Sequence, residues 1–328
     1  MVTELEKDIY RIEVPLPNNP MQLLNSYFIR GSERNLIIDT GFNRQECRDA
    51  LLGGLEELGA DFSKTDIFIT HLHADHSGLV SSIKTDANTV YCSRQDGHIV
   101  NYLYSDEYWS TLFEQFRITG LRMSEEMAIS THPGLMWRPD EKHIDIHYVS
   151  EGDVIKVGDY ELTCVFTPGH SPGHMCLYEK NKKFLFAGDM ILGDITPNLC
   201  PERFALSSLT QYLASLDKVA AMDVKRVFVG HRSMLDDLPG RIKSLKEHHK
   251  ARCQEALDVL KDGPLDAWEA AAKMTWDIQA KNWDAFPPSQ KWFATGEAYE
   301  HLLYLYEQGY VIRHYRPDGV EEFELVKD

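Results

Sequence analysis

Thr70-His71-Leu72-His73-Ala74-Asp75-His76-Ser77-Gly78 is the stretch from which the rest of the chain is read. It follows the apolar run Ile67-Phe68-Ile69, so a buried strand delivers it. Residues two apart on an extended segment project to the same side. His71 and His73 therefore face one way, and Asp75 and His76 fall where the strand gives way to a helix near Ser77-Gly78. A lone histidine here would read as a polar turn residue. Three imidazoles and a carboxylate around one small volume suit a divalent metal instead.

On either side of this loop the chain alternates strands with helices. Ile9-Tyr10-Arg11-Ile12, Ser26-Tyr27-Phe28-Ile29 and Asn35-Leu36-Ile37-Ile38 read as strands, the last ending at Asp39-Thr40-Gly41. Cys47, Leu51, Leu52, Leu55 and Leu58 have helical spacing, and Thr89-Val90-Tyr91-Cys92 is the next strand. Strand–helix–strand order of this kind predicts an α/β layered domain. Further strands follow at 147–149, 153–157, 162–166, 175–178, 184–189 and 226–229, with an amphipathic helix over 207–222. His71, His170, Asp189 and His231 each lie at or just past the end of an apolar strand, where the loops of such a sheet converge. Asp39 ends a strand in the same manner. Local sequence leaves it open whether it braces a neighbouring loop or merely caps its own turn.

The chain has 328 residues, 43% hydrophobic and 11% aromatic, enough for one large domain with a small appended one. A net charge of -17 and a pI near 5.2 disfavour nucleic acid as a partner, because phosphate contacts need Lys and Arg. No apolar run is long enough to span a bilayer, and the acidic start Met1-Val2-Thr3-Glu4 is unlike a signal peptide, so a cytoplasmic protein is expected. Cys47, Cys92, Cys164, Cys176, Cys200 and Cys253 have no close pairing and read as buried, reduced thiols.

The expected division is a catalytic domain over 1–238 and a C-terminal domain over 239–328. Within the first, residues 95–145 break the alternation. They carry Tyr102, Tyr104, Tyr108, Trp109, Phe113, Phe116 and Trp137, and suit a pocket wall, a lid, a homodimer contact or self-contained helix packing. Beyond 239 the pattern is helical, at 241–260, 265–274 and 297–308, and ends in a hairpin around Pro317-Asp318-Gly319. That order reads as a small winged helix with a packing or dimerisation role.

The donors His71, His73, Asp75, His76, His170, Asp189 and His231 exceed what one catalytic zinc takes and fit two metals with a shared carboxylate. The motif His71-Leu72-His73-Ala74-Asp75-His76, His170, Asp189 after Ala-Gly and His231 after Gly resemble the metallo-β-lactamase superfamily over roughly residues 8–235. The resemblance implies a four-layer αββα sandwich with two divalent metals at one edge, zinc first, manganese or iron as alternatives. It implies His71, His73 and His170 on one metal, Asp75, His76 and His231 on the other, Asp189 bridging, and Asp75 orienting the attacking hydroxide. Asp39, in the matching Asp-Thr-Gly turn, would support the site. His174 is the next candidate for that support, against the favoured reading as a structural turn histidine, and His132, His143 and His147, which lie off every motif, read as ordinary polar residues.

Thr167-Pro168-Gly169-His170-Ser171-Pro172-Gly173-His174 and Phe186-Ala187-Gly188-Asp189 are similar to the glyoxalase II branch and its relatives, and the winged-helix-like C-terminus resembles that of β-lactamase-like protein 2 relatives. The expected reaction is attack of metal-bound hydroxide on the carbonyl of a small ester, thioester or lactone. A phosphodiesterase or ribonuclease of the same fold and a non-enzymatic metal-binding or redox module are the alternatives. Asp194-Ile195-Thr196-Pro197-Asn198 reads equally as pocket lining and as a plain turn.

Overall fold

The computed structural model describes residues 1–199 and 206–326. Cys200 lies outside the described residues, and the other five cysteines are buried free thiols. Seven strands form the first sheet in sequence order: β1 (Val2–Glu6), β2 (Ile9–Pro15), β3 (Leu23–Ile29), β4 (Asn35–Ile38), β5 (Thr65–Phe68), β6 (Val90–Ser93) and β7 (Ile146–Val149). It is antiparallel through β4 and parallel from β4 to β7. The second sheet holds β8 (Val154–Val157), β9 (Tyr160–Phe166), β10 (Met175–Glu179), β11 (Phe184–Gly188) and β12 (Arg226–Val229), in the order β12-β11-β10-β9-β8. A bridge between Leu24 and His231 ties the two sheets together at one edge.

Period-two alternation makes each strand serve two cores. Ile67 faces the outer layer with α1 (Gln45–Glu57), whereas Phe68 enters the core between the sheets. On β11, Phe184 and Phe186 turn inward, and Leu185 and Ala187 turn outward to the opposite helical layer. The result is the expected four-layer αββα sandwich. In the first half, α2 (Ala74–Ser77) carries the end of the histidine loop and α3 (Val80–Ile83) follows it. The 95–145 stretch forms α4 (Arg94–Val100), α5 (Asp106–Arg117), α6 (Glu125–Thr131) and α7 (Pro133–Met136).

The second helical layer begins with α8 (Ser208–Ala220) and continues with α9 (Leu238–Val259), α10 (Ala267–Lys273) and α11 (Pro288–Glu307). The hairpin β13 (Val311–Tyr315) and β14 (Glu321–Leu325) follows. Helices then a hairpin is the order expected of the C-terminal region. Leu209 and Leu216 of α8 share one core with Leu245 and Ala256 of α9 and with Ala294, Ala298 and Leu302 of α11. A separate aromatic core joins Phe113 and Phe116 of α5, Ala128 of α6 and Trp292 of α11. The N-terminal part of α11 therefore reaches back to the aromatic stretch. Two elements lie outside the expected ones: β1, and the first nine residues of α11.

Candidate metal centre

The strand ends meet at the edge where Leu24 bridges His231. His71, His73 and His170 form one cluster of donor atoms, Asp75, His76 and His231 a second, and His71, His76 and Asp189 a third that overlaps both, with each set within 4.8 Å. All seven residues expected from the sequence are thus brought together, and each gets there on a different local device. β5 ends at Phe68 and the next turn projects His71 and His73. The short α2 turns Asp75 and His76 back toward the same point. His170 stands in the β9–β10 turn, Asp189 directly after β11 and His231 two residues after β12. Gly230 is required by closeness, since a Cβ there would lie 2.3 Å from Asp189 Oδ1.

The outer ring nitrogens are held by hydrogen bonds that fix which nitrogen faces inward. His231 Nδ1 donates to Leu23 O at 2.8 Å, and His170 Nδ1 donates to Asn198 O at 2.8 Å. His76 Nδ1 donates to Asp39 Oδ2 at 2.8 Å. Thr70 Oγ1 donates to the same carboxylate oxygen and lies 3.0 Å from His71 Nδ1, which therefore donates to it. With each Nδ1 a donor, Nε2 of a neutral ring carries a lone pair directed inward. His76 Nε2 and His231 Nε2 are nonetheless 3.0 Å apart, and His71 Nε2 is 3.0 Å from His73 Nδ1. Lone pairs facing at the His76–His231 distance call for positive charge between them. His170 Nε2 and Asp189 Oδ1 are buried with no hydrogen-bond partner among the described residues. An all-nitrogen-and-oxygen donor set with orphaned atoms of this kind fits divalent metal.

The protonation pattern shows the same demand for positive charge. Burial works to lower His231, but the Asp189 carboxylate overrides it and pushes the ring up to about 9. His76, buried between Asp189 and Asp39, is raised against the same burial. Burial works to raise Asp75, yet its hydrogen bond from His231 brings the carboxyl down to about 2. His170 is lowered to about 4 by burial and by the nearby His73. A dication between these donors answers the same charge without taking up protons.

Around the donors, Asp39 proves to brace the loop: Oδ1 accepts from the Thr70 amide at 2.8 Å. His174 is a structural histidine, as expected, held by Thr167 Oγ1 at 2.9 Å and accepting from the Asp189 amide at 3.2 Å. A pocket of about 340 Å³ opens from His73, Asp75, His170 and Asp189. Ile195, Thr196, Pro197 and Asn198 line it, so that segment is more than a plain turn. Tyr108, Trp109, Leu112 and Phe116 line another side, together with Trp292 and Phe293 of α11. His132, read from sequence as an ordinary polar residue, lines it too, while His143 and His147 are exposed. The only sequence signal for His132 was the Pro133-Gly134 that follows it, a turn at which its side chain caps α7.

Known proteins agree with this geometry. The family described as Metallo-beta-lactamase superfamily matches the chain over residues 23–231. The chain is 26% identical over 252 residues to a beta-lactamase-like protein 2 homolog of Caenorhabditis elegans, covering 75% of this chain and 70% of that one. It is 28% identical over 223 residues to the acyl-coenzyme A thioesterase MBLAC2 of Gallus gallus, covering 64% and 73%. A solved metallo-beta-lactamase family protein from Thermus thermophilus superposes with a TM-score of 0.82 at 27% identity, over 98% of this chain and 100% of that one. Among the described residues no helix is long and apolar enough to cross a membrane. The family match spans well over half of the sequence and encloses every donor from His71 to His231, and the chain belongs to the metallo-beta-lactamase superfamily of metal-binding hydrolases.

Proposed function

We propose that the chain is a binuclear metal-dependent thioesterase, cleaving a small acyl thioester, with esters and lactones open to the same chemistry. The observation that carries this reading is the pocket wall. From the donors it runs to Leu72, Leu103, Trp109, Leu112 and Phe116, and among its described lining residues there is no Lys or Arg. Such a wall accepts an apolar acyl group and offers nothing to neutralise a phosphodiester backbone. The similarity to acyl-coenzyme A thioesterase MBLAC2 points the same way.

In this reading His71, His73 and His170 would hold one ion and Asp75, His76 and His231 the other, with the Asp189 carboxylate available to both. Two bound divalent ions, zinc first, would supply an activated water at neutral pH and a Lewis acid for the carbonyl. Asp75 acts as the catalytic carboxylate that orients the attacking water. Asp39, Leu23 O and Asn198 O keep the imidazoles in the ligating tautomer, and the apolar wall excludes bulk water from the acyl side.

The test is a panel of acyl thioesters, lactones and a bis-aryl phosphodiester, assayed with zinc, manganese and iron. Thioester hydrolysis should lead, and His71→Ala and Asp189→Ala should each lower it by about 10³-fold or more. Turnover of the phosphodiester alone, or full activity in either variant, would overturn the assignment.

A further inference from the structure

The pocket wall contains polar groups that the chemistry at the metals does not use. The His132 ring lies among Trp109, Trp292 and Phe293, with centroid separations of 5.0, 5.6 and 5.4 Å. Its Nδ1 accepts from the Gly134 amide at 3.1 Å. An amide nitrogen can only donate, so Nδ1 holds the lone pair and the neutral ring bears its proton on Nε2. Burial, then the nearby His73, push the ring down to about 3, so it stays neutral at any working pH. Among the described residues that Nε2–H has no hydrogen-bond partner. The indole N–H of Trp109 is taken by Leu103 O at 2.8 Å, whereas that of Trp292 has no partner among the described residues.

With Nδ1 turned to the backbone of α7, the opposite edge of the ring is free to meet what fills the pocket. Neither N–H is among the buried atoms without a partner, so both reach open space, and an occupant that covered them with hydrocarbon would strip their water and leave two donors unpaired. We propose that His132 is a specificity-determining residue which donates its Nε2–H, with the Trp292 N–H beside it, to an oxygen carried on the acyl group. The preferred substrates are then oxo- or hydroxy-substituted acyl thioesters rather than plain alkanoyl ones. This rests on the thioesterase reading above and narrows its substrate class.

The experiment compares kcat/KM for N-acetylcysteamine thioesters of one chain length, plain or carrying an oxo or hydroxyl group at each successive position. One paired neutral hydrogen bond is worth about 3- to 10-fold, and a desolvated one more. The wild type should favour one substituted chain by about 10-fold over the plain one, and His132→Phe should bring that ratio to about one. His132→Asn keeps an acceptor for the Gly134 amide, but its amide N–H groups sit on a shorter side chain and do not reach the position of Nε2. It should lose the same ratio while keeping the wild-type Tm, which a purely capping role would not produce. A wild type with no preference, or a preference that survives both variants, overturns the proposal. Failure of every thioester to turn over overturns the parent reading instead.

Discussion

Asp39 adopts a left-handed backbone, φ 62°, which places one carboxylate against two neighbours at once. Its Oδ1 takes the Thr70 amide, and its Oδ2 takes both the Thr70 hydroxyl and His76 Nδ1. One side chain thereby orients His76 directly and His71 through Thr70. Asp39→Asn isolates this role, because Asn tolerates the same left-handed backbone. Its amide would present N–H groups where Oδ2 now accepts, forcing His76 to swing away or to carry its proton on the inward nitrogen. Metal affinity in a competition titration against a chromophoric chelator should fall by about 10- to 100-fold. Unchanged affinity would show that the histidines hold their orientation without it. Local sequence could not settle this residue, since its partners Thr70 and His76 lie 31 and 37 positions further on. The metal donors were easier. His71, His170, Asp189 and His231 follow apolar strands whose ends are visible in the sequence, and those strands, one from the first sheet and three from the second, end at the same edge.

Among the elements, the aromatic wall is held by the C-terminal region rather than by its own neighbours in sequence. Arg122, just after α5, reaches Asp266 at 2.8 Å and Glu269 at 2.6 Å, and Arg316 of the hairpin turn reaches the same two carboxylates at 2.8 and 3.0 Å. Backbone bonds from Glu321 to Ile118 O and from Trp268 to Thr119 O close the seam. Gly120, at φ 83°, is forced by this approach, because a Cβ would lie 2.5 Å from the Asp266 carboxyl carbon. Asp266 also caps α10 in a reciprocal capping box with Glu269. Asp266→Asn keeps the cap and removes the charge. Asp266 Oδ2 is buried and takes both Arg122 and Arg316, so the loss in a urea titration should be about 1–2 kcal/mol. Asp266→Ala removes the cap as well, and should cost about 2–3 kcal/mol in total. Equal losses in the two variants would mean the cap contributes nothing. Phe116 and Trp292 stack at 3.9 Å although they come from segments far apart in the chain, so no periodicity could announce their contact. The early start of α11 did leave a signal in Pro287-Pro288, a proline in the first helical turn. Trp292, Phe293 and Ala294 follow, but Thr295-Gly296-Glu297 interrupts the apolar stripe before Ala298. Strand β1 was missed for a related reason: Val2, Leu5 and the charges between them fit no clean alternation.

At the scale of the whole molecule, strand–helix alternation predicts an α/β layered domain, and the four-layer arrangement is what the family resemblance adds. The sharing of one core by α8, α9 and α11 was not legible, because helical periodicity shows an apolar face without saying what covers it. That shared core contains a buried histidine pair which ties its stability to pH. His301 Nδ1 donates to Glu297 O at 2.7 Å, so its Nε2 accepts, and His249 Nδ1 donates to it at 3.1 Å. Both rings are neutral: burial pushes His249 down to about 2, helped by His301, and His301 down to about 3. The unfolded chain takes up these protons near pH 6.5 and the folded one does not. The unfolded state therefore binds more protons below pH 6.5, and stability falls as pH falls toward the folded values. Glu300, raised by burial to about 8, works in the opposite sense between its ordinary value and that one, so the total profile mixes the two. A difference curve separates them. His249→Asn keeps a donor in the place of Nδ1 and removes one titration. The stability of the wild type minus that of the variant should rise by about 1.4 kcal/mol per pH unit between roughly pH 3 and 6, and level off above 7. Urea titrations at half-unit intervals give this curve, and a flat one would mean that His249 is already protonated in the fold.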